Sequence, residues 1–215
     1  MNRISHFLFC LIVLASASAL ASEPFRLDLK DAKPGELPKH WKAAKTHEGP
    51  GSVWKVLEDS TAPGGKTLAQ TSADGPKPLY NLCIAEETKF ADVDLSVSLK
   101  ANAGKIDQGG GPIWRCQDAD NYYVARWNPL EDNYRIYKVE KGKRTQLGTA
   151  DMKLPGDKWH VLRVVQKGGD IQCYLDGKLY LSVKDETFSK AGKIGLWTKA
   201  DAQTSFADLK MAEEK

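Results

Sequence analysis

Apolar and polar positions alternate with a period of two along much of this chain, the spacing of β-strands. In the stretch 90–99, Val93, Leu95, Val97 and Leu99 fall on one side, and Asp92, Asp94, Ser96 and Ser98 on the other. Two later stretches are apolar or aromatic on both sides. Tyr122 and Val124 oppose Tyr123, Ala125 and Trp127, and Tyr134 and Ile136 oppose Tyr137 and Val139. A sandwich strand needs only one apolar face. The second face is therefore either covered by loops from the first half of the chain or lines a concave sheet.

Turn signals separate the strands at short, even intervals: 108–111, 118–121, 128–133, Lys141-Gly142, 155–157, 168–170 and Asp176-Gly177. Asp-Gly and Gly-Gly steps tolerate positive φ and mark hairpins. Residues 30–66, rich in Pro, Gly and Lys, read as loops around one short strand at 53–57. No helical period of useful length appears. The pattern predicts an all-β domain of two packed antiparallel sheets, a jelly-roll sandwich, with no helix beyond about three turns after residue 22. Trp159, Leu162, Val164, Ile171, Ile194, Leu196 and Phe206 are its expected core.

The amino terminus changes the picture of where this domain works. Arg3, the apolar run 7–15 and the small residues ending in Ala19-Leu20-Ala21 form a cleavable secretory signal over residues 1–21. The apolar run is too short to span a bilayer, which takes roughly 20 residues, and Cys10 is misplaced for a lipid anchor. The expected product is a single domain over residues 22–215, secreted or periplasmic, with no stable membrane anchor. Loss of Arg3 lowers the formal charge from +3 to +2, and basic residues alternate with acidic ones, which argues against nucleic-acid binding. Cys83, Cys116 and Cys173 remain; an odd number permits at most one internal disulfide, and buried thiols are the simpler reading.

A family resemblance rests on Gly110-Gly-Pro-Ile-Trp-Arg115, Asp120-Asn-Tyr-Tyr-Val-Ala-Arg126, Asn128-Pro-Leu-Glu-Asp-Asn133, Tyr137-Lys-Val139, Trp159-His-Val-Leu-Arg-Val164, Tyr174-Leu-Asp-Gly177, Gly195-Leu-Trp-Thr-Lys-Ala-Asp201 and Phe206-Ala-Asp-Leu209. These residues resemble concanavalin A-like, laminin-G-like jelly rolls of secreted bacterial proteins, in particular the domain linked to 3-keto-disaccharide hydrolases. The resemblance implies the jelly-roll fold. It does not by itself imply an activity, since the fold hosts lectins, adhesion modules and hydrolases.

The candidate chemistry is concentrated in 115–133. Arg126 and Asn128 share one strand face, and Glu131 and Asn133 follow in the adjoining turn. Arg, Asn and carboxylate groups offer the hydrogen bonds that sugar hydroxyls use. Arg115, Tyr122, Tyr123, Asn128 and Asn133 are the expected ligand-binding residues. If the site is catalytic, Glu131 is the acid/base and Arg126 stabilises developing negative charge. The alternative is an internal polar network that fastens the turn. Asp118 and Asp120 are weak calcium candidates on an Asx-rich turn; no other cofactor is expected. Asp92 and Asp94 are the nearest approach to a glucanase E-x-D-x-x-E strand, but Val97 fills the third position. His160 has no partner at metal-ligand or triad spacing.

Three functions remain open: recognition of carbohydrate or glycoconjugate, hydrolysis of a modified (3-keto) disaccharide or glycoside as the resemblance implies, and an envelope or surface interaction module without a small ligand.

Overall fold

The computed structural model describes residues 25–212; the secretory segment read at 1–21 lies outside the described residues. Among them are fifteen strands in two antiparallel sheets, and one turn of 3-10 helix at Pro63–Gly65. The fold is the expected all-β jelly roll. No helix of the described residues is long and apolar enough to cross a membrane.

One sheet has eight strands: β1 (Phe25–Arg26), β3 (Trp54–Glu58), β4 (Lys66–Gln70), β6 (Val93–Ala103), β11 (His160–Lys167), β12 (Asp170–Leu175), β13 (Lys178–Lys184) and β15 (Gln203–Ala212). Their order is β13-β12-β11-β6-β15-β4-β3, with β1 paired to β15. The other has seven: β2 (Trp41–Thr46), β5 (Tyr80–Phe90), β7 (Gly111–Asp118), β8 (Asn121–Asn128), β9 (Asn133–Glu140), β10 (Lys143–Asp151) and β14 (Gly192–Lys199), in the order β10-β9-β8-β7-β14-β5-β2. Strand β2 has no counterpart in the sequence reading. Its Lys42 and Lys45 are exposed, and it lies at the sheet edge, where lysines discourage further pairing.

The core lies between the sheets. Val93, Leu95, Val97 and Leu99 of β6 are fully buried there with Leu162, Val164 and Ile171 from the same sheet. Trp114, Tyr123, Trp127, Ile136, Ile194 and Leu196 face them from the other. Each such side chain contributes about 1.5–3 kcal/mol through burial. Trp159 departs from the expectation. It precedes β11 in the opposite phase to His160, Leu162 and Val164, so it lies half-buried at the surface. Its indole N–H donates to Thr61 Oγ1, and the Lys100 ammonium sits over its ring. The Asp176-Gly177 hairpin takes positive φ at both residues, as the Asp-Gly step requires.

Cys83, Cys116 and Cys173 are free and buried. Burial pushes all three thiols up, Cys116 to about 12, which makes them inert packing groups.

The seven-stranded sheet is apolar on both faces. Its second face carries Tyr80, Leu82, Ile84, Ile113, Tyr122, Val124, Tyr137, Val139 and Trp197, all buried. Contacts between distant strands explain the burial. In a flat sheet β2 and β8 would lie about 19 Å apart and β10 and β5 about 24 Å apart. Yet Thr46 Oγ1 is 2.8 Å from the Tyr122 hydroxyl, and the Arg144 guanidinium lies 5.2 Å from the centre of the Tyr80 ring. The sheet therefore curls towards this face and makes it concave, and its own edges cover the aromatics.

Two predictions follow from the packing. Phe206→Ala removes a fully buried ring and is expected to cost about 3–5 kcal/mol in urea denaturation. Trp159→Ala is expected to cost under about 2 kcal/mol; equal losses would contradict the strand phase. The second concerns acid. Asp185 joins the sheets by accepting from Tyr123 and Lys138. Burial raises its pKa, but hydrogen bonds from Tyr123, Thr187 and Lys138 outweigh that and hold it at about 2. A depressed carboxylate stabilises the fold above its unfolded pKa and loses that contribution as pH falls through the folded value. Discounted for partial exposure, about 1–2 kcal/mol should disappear between pH about 4 and 2. Asp185→Asn should remove that limb of the acid stability curve.

Candidate functional site

The polar end of the concave face is built around one carboxylate. Asp107 lies in the loop between β6 and β7 and is 1% exposed. Asp201 fixes this loop by accepting the backbone N–H groups of Lys105, Ile106 and Asp107 at 2.7–3.1 Å. Burial raises the Asp201 pKa, but those N–H groups outweigh it and keep the carboxyl below its ordinary range. Asp107 Oδ1 accepts from Arg126 Nη2 at 2.7 Å and Asn128 Nδ2 at 3.0 Å, and Oδ2 accepts from Lys199 Nζ at 2.8 Å.

Arg126, also 1% exposed, connects this floor to a more open rim. Its Nη1 donates to Glu131 Oε2 at 3.2 Å. Arg135 Nη1 donates to the same oxygen at 3.1 Å and lies 3.4 Å from the Tyr137 hydroxyl. The side chains of Glu131 and Arg135 are 39% and 31% exposed. Burial pushes the Glu131 pKa up, but Arg126, Asn133 and Arg135 outweigh it and hold it below the usual carboxylate range. Arg144 follows, its guanidinium 4.3 Å from the Tyr137 ring centre and 6.0 Å from that of Trp197. Tyr80, whose hydroxyl pKa is raised chiefly by burial, lies within electrostatic reach of both Arg144 and Asp107. The groups Asp107, Arg126, Glu131, Arg135, Arg144, Tyr80 and Lys199 thus encircle one end of the concave face.

The sequence candidates distribute unequally over this geometry. Arg126, Asn128, Glu131 and Asn133 do come together. Asn128 positions the others: its Oδ1 accepts the N–H groups of Leu130 and Glu131 while its amide holds Asp107. Asn133 Nδ2 donates to both the backbone carbonyl and Oε2 of Glu131. The turn is fastened as the internal-network reading expects, while one edge of Glu131 stays open to solvent. Tyr122 lies on the concave face but is sealed beneath it, its hydroxyl bonded to Thr46 and Trp197.

Tyr123 and Arg115 lie apart from this group. Tyr123 alternates to the other face and is buried in the core against Trp114 and Phe188. Arg115 is not beside Arg126. It lies about four residues, on the order of 13 Å, along the strand ladder, in a bulge where its φ is +45°. That bulge turns the side chain towards the eight-stranded sheet. There its nitrogens donate to the carbonyls of Ala91, Phe188 and Gly168 and to Asp92. Gly192 allows the bulge: a Cβ there would lie 2.5 Å from the Arg115 carbonyl carbon.

Asp118 accepts from Asp120 N–H and from the Asn121 amide, an Asx turn. Among the described residues no group of three or more His, Cys, Asp or Glu side chains is placed to hold a metal ion. Asp94 pairs with Arg163 through two contacts of 2.6 Å on the outer face of the other sheet, and Asp92 accepts from Arg115 and from the Gly168 N–H, so both carboxylates are engaged in structural pairs. His160 is buried between Asp176 and the Pro155 carbonyl, against Trp127. A separate cavity of about 530 Å³ is lined by Phe25, Asp28, Glu36, His40, Trp41 and Glu87 among others; its His40–Glu87 pair is well solvated.

The sequence reading missed Asp107, Arg135, Arg144, Lys199 and Tyr80. Of these, Arg144 was within reach: the Lys141-Gly142 hairpin sets it opposite Val139, on the face of Tyr137 and Arg135. Asp107 and Lys199 are 92 positions apart, and no local spacing signals their contact.

The family model for the 3-keto-alpha-glucoside-1,2-lyase-like domain matches residues 29–212. No curated protein matches the chain. Several solved structures are similar. The carbohydrate-binding module CBM66 from Bacillus subtilis is 20% identical with a TM-score of 0.64, over 81% of this chain and 96% of that one. A Bacillus subtilis protein of unknown function with a galectin-like fold is 12% identical with a TM-score of 0.62, over 90% and 97%. The xylan beta-1,4-xylosidase from Bacillus halodurans is 13% identical with a TM-score of 0.57, over 94% of this chain but 41% of that one. At these identities the likeness establishes the fold.

The burial difference between floor and rim yields a stability prediction. Asp107→Asn strips charge from the partners of Arg126 and Lys199 and is expected to cost about 3 kcal/mol or more. Glu131→Gln, at the half-open rim, is expected to change stability by less than about 1 kcal/mol. Urea titration of both variants checks the assignment; a larger loss at Glu131 would reverse floor and rim.

Proposed function

The chain belongs to the family of 3-keto-alpha-glucoside-1,2-lyase-like domains, and from that premise we propose that it recognises a carbohydrate or glycoconjugate at the polar end of its concave sheet, outside the cytoplasm. The observation that carries this reading is the ring itself. Guanidinium, carboxylate, ammonium and phenol groups are held in fixed positions by a buried floor. Sugar hydroxyls both donate and accept, so a mixed ring of this kind satisfies them better than a surface of one polarity. Tyr80 and Tyr137 lie beneath the ring and hold the Arg144 guanidinium in place, which keeps a donor-rich cation at its edge.

Pre-organisation supports the same reading. Arg126 and Asp107 need no rearrangement to keep their contacts, because the Asp201-anchored loop and the Asn128 turn already set them. Little ordering entropy then opposes binding. The secretory signal read in the sequence fits a ligand met outside the cytoplasm.

A second reading, turnover of a 3-keto glycoside, is favoured by one feature: a carboxylate with an open edge flanked by two guanidinium groups. The proton on C2 of such a sugar is acidified by the C3 carbonyl. Glu131 takes that proton, the electron pair forms the C1–C2 double bond, the glycosidic C1–O bond breaks, and the departing oxygen is protonated by solvent. Arg126 and Arg135 stabilise the enolate oxygen as charge develops there. Because those cations hold Glu131 below the ordinary glutamate range, its carboxylate form, and any turnover that needs it, persists at pH values where a free glutamate is already protonated.

A glycan array followed by calorimetric titration tests the binding reading. Arg135→Ala at the rim is expected to weaken the best ligand about tenfold or more with little change in melting temperature. Absence of binding to any glycan would instead favour an interaction module without a small ligand. Ultraviolet detection of the enone product from a 3-keto disaccharide tests the second reading. Glu131→Gln is expected to abolish turnover while leaving binding within a few-fold.

A further inference from the structure

The ring is not balanced in charge, and the imbalance falls on one residue. Arg126 is matched by Asp107 and Glu131, Arg135 by Glu131, and Lys199 by Asp107. Asp151 adds a carboxylate near Arg135 on the exposed edge strand. Arg144 has no carboxylate: among the described residues its only contacts of note are the rings of Tyr137, Tyr80 and Trp197. Its Nη1 is buried without a hydrogen-bond partner. The same is true of Nε of Arg126, a side chain 99% out of solvent on the same face. A buried donor left unsatisfied costs about 1–3 kcal/mol, and more when charged. A buried, unpartnered donor on a cation with no counter-ion marks Arg144 as a position prepared for negative charge.

We propose that the concave site takes an anionic carbohydrate, a sugar carrying a carboxylate or sulfate, whose oxyanion is received by Arg144. This rests on the carbohydrate reading above and adds the class of ligand to it. The aromatic surroundings strengthen the contact in two ways. Tyr137, Tyr80 and Trp197 hold the guanidinium in place, and its Nη1 is shielded from solvent, so an arriving oxyanion meets that donor in a medium less polar than water. The neutral part of the sugar then spans the Glu131–Arg135 rim, where mixed donors and acceptors suit hydroxyl groups.

The test uses matched pairs of disaccharides: glucuronate against glucose, galacturonate against galactose, and a 6-sulfated form of each neutral sugar. Calorimetric titration of the full mature protein at low salt is expected to give about ten- to hundredfold tighter binding for a charged member than for its neutral partner, as charge-assisted hydrogen bonds do. The preference should shrink as salt rises. Tighter binding of the uronates identifies the carboxylate as the source, and of the sulfated sugars the sulfate. Arg144→Met should bring charged and neutral members to within a few-fold of each other. The preference is also read in the unmodified protein, so the test does not depend on that variant folding. Equal affinity for charged and neutral members overturns this inference and leaves carbohydrate recognition standing. Absence of binding to every member overturns both.

Discussion

A sheet that is apolar on both faces cannot leave either to water, and most of this molecule follows from how the seven-stranded sheet meets that constraint. One face is covered in the ordinary way, by the eight-stranded sheet. The other is covered by the sheet's own curvature. The edge strand β2 brings Thr46 to Tyr122, and the opposite edge strand β10 brings Arg144 over Tyr137, Tyr80 and Trp197. Curling of this degree draws Tyr80, Tyr122, Tyr137 and Trp197 into a second, smaller core. At one end of the curled face the apolar groups give way to the charged cluster of Asp107, Arg126 and Lys199.

That end is where buried charge is tolerated. Asp107 and Arg126 are as inaccessible as the core tryptophans, yet each is held by several charge-assisted hydrogen bonds. Removing two ions from water costs several kcal/mol per ion before pairing offsets it. Such an arrangement is a poor way to gain stability, since apolar residues would fill the same space at lower cost. Its usefulness is positional. The floor fixes the donors and acceptors of the rim, as the proposed recognition of a hydroxyl-rich ligand requires.

The fold was legible in the chain because strand periodicity and turn chemistry are local. The alternation at 90–99, the hairpin at Asp176-Gly177 and the two-faced strands at 122–127 and 134–139 each state their geometry within a few residues. The site was half legible for the same reason. Arg126, Asn128, Glu131 and Asn133 lie within one hairpin, so their meeting could be read from spacing. Asp107, Lys199 and Tyr80 arrive from loops and strands whose proximity exists only after the sheet has curled. Arg115 misled because a bulge breaks the alternation that would have placed it on the concave face. Trp159 misled because a large aromatic outweighed the phase of its neighbours in the reading, although Leu162 and Val164 set that phase correctly.

The proposed recognition requires the ligand to enter the concave polar ring and no other surface. The side-chain N–H resonances of tryptophan and arginine report on this directly during titration with the tightest-binding saccharide. Trp197 lies beneath Arg144, Arg126 Nε is buried and unpartnered, and Trp41 and Trp159 mark the alternative cavity and the outer surface. Saturable shifts of the Trp197 indole N–H and of the Arg126 and Arg144 Nε–H signals are expected, with Trp41 and Trp159 unmoved. Shifts confined to Trp41 or Trp159, with Trp197 and Arg126 unchanged, would contradict the proposed recognition.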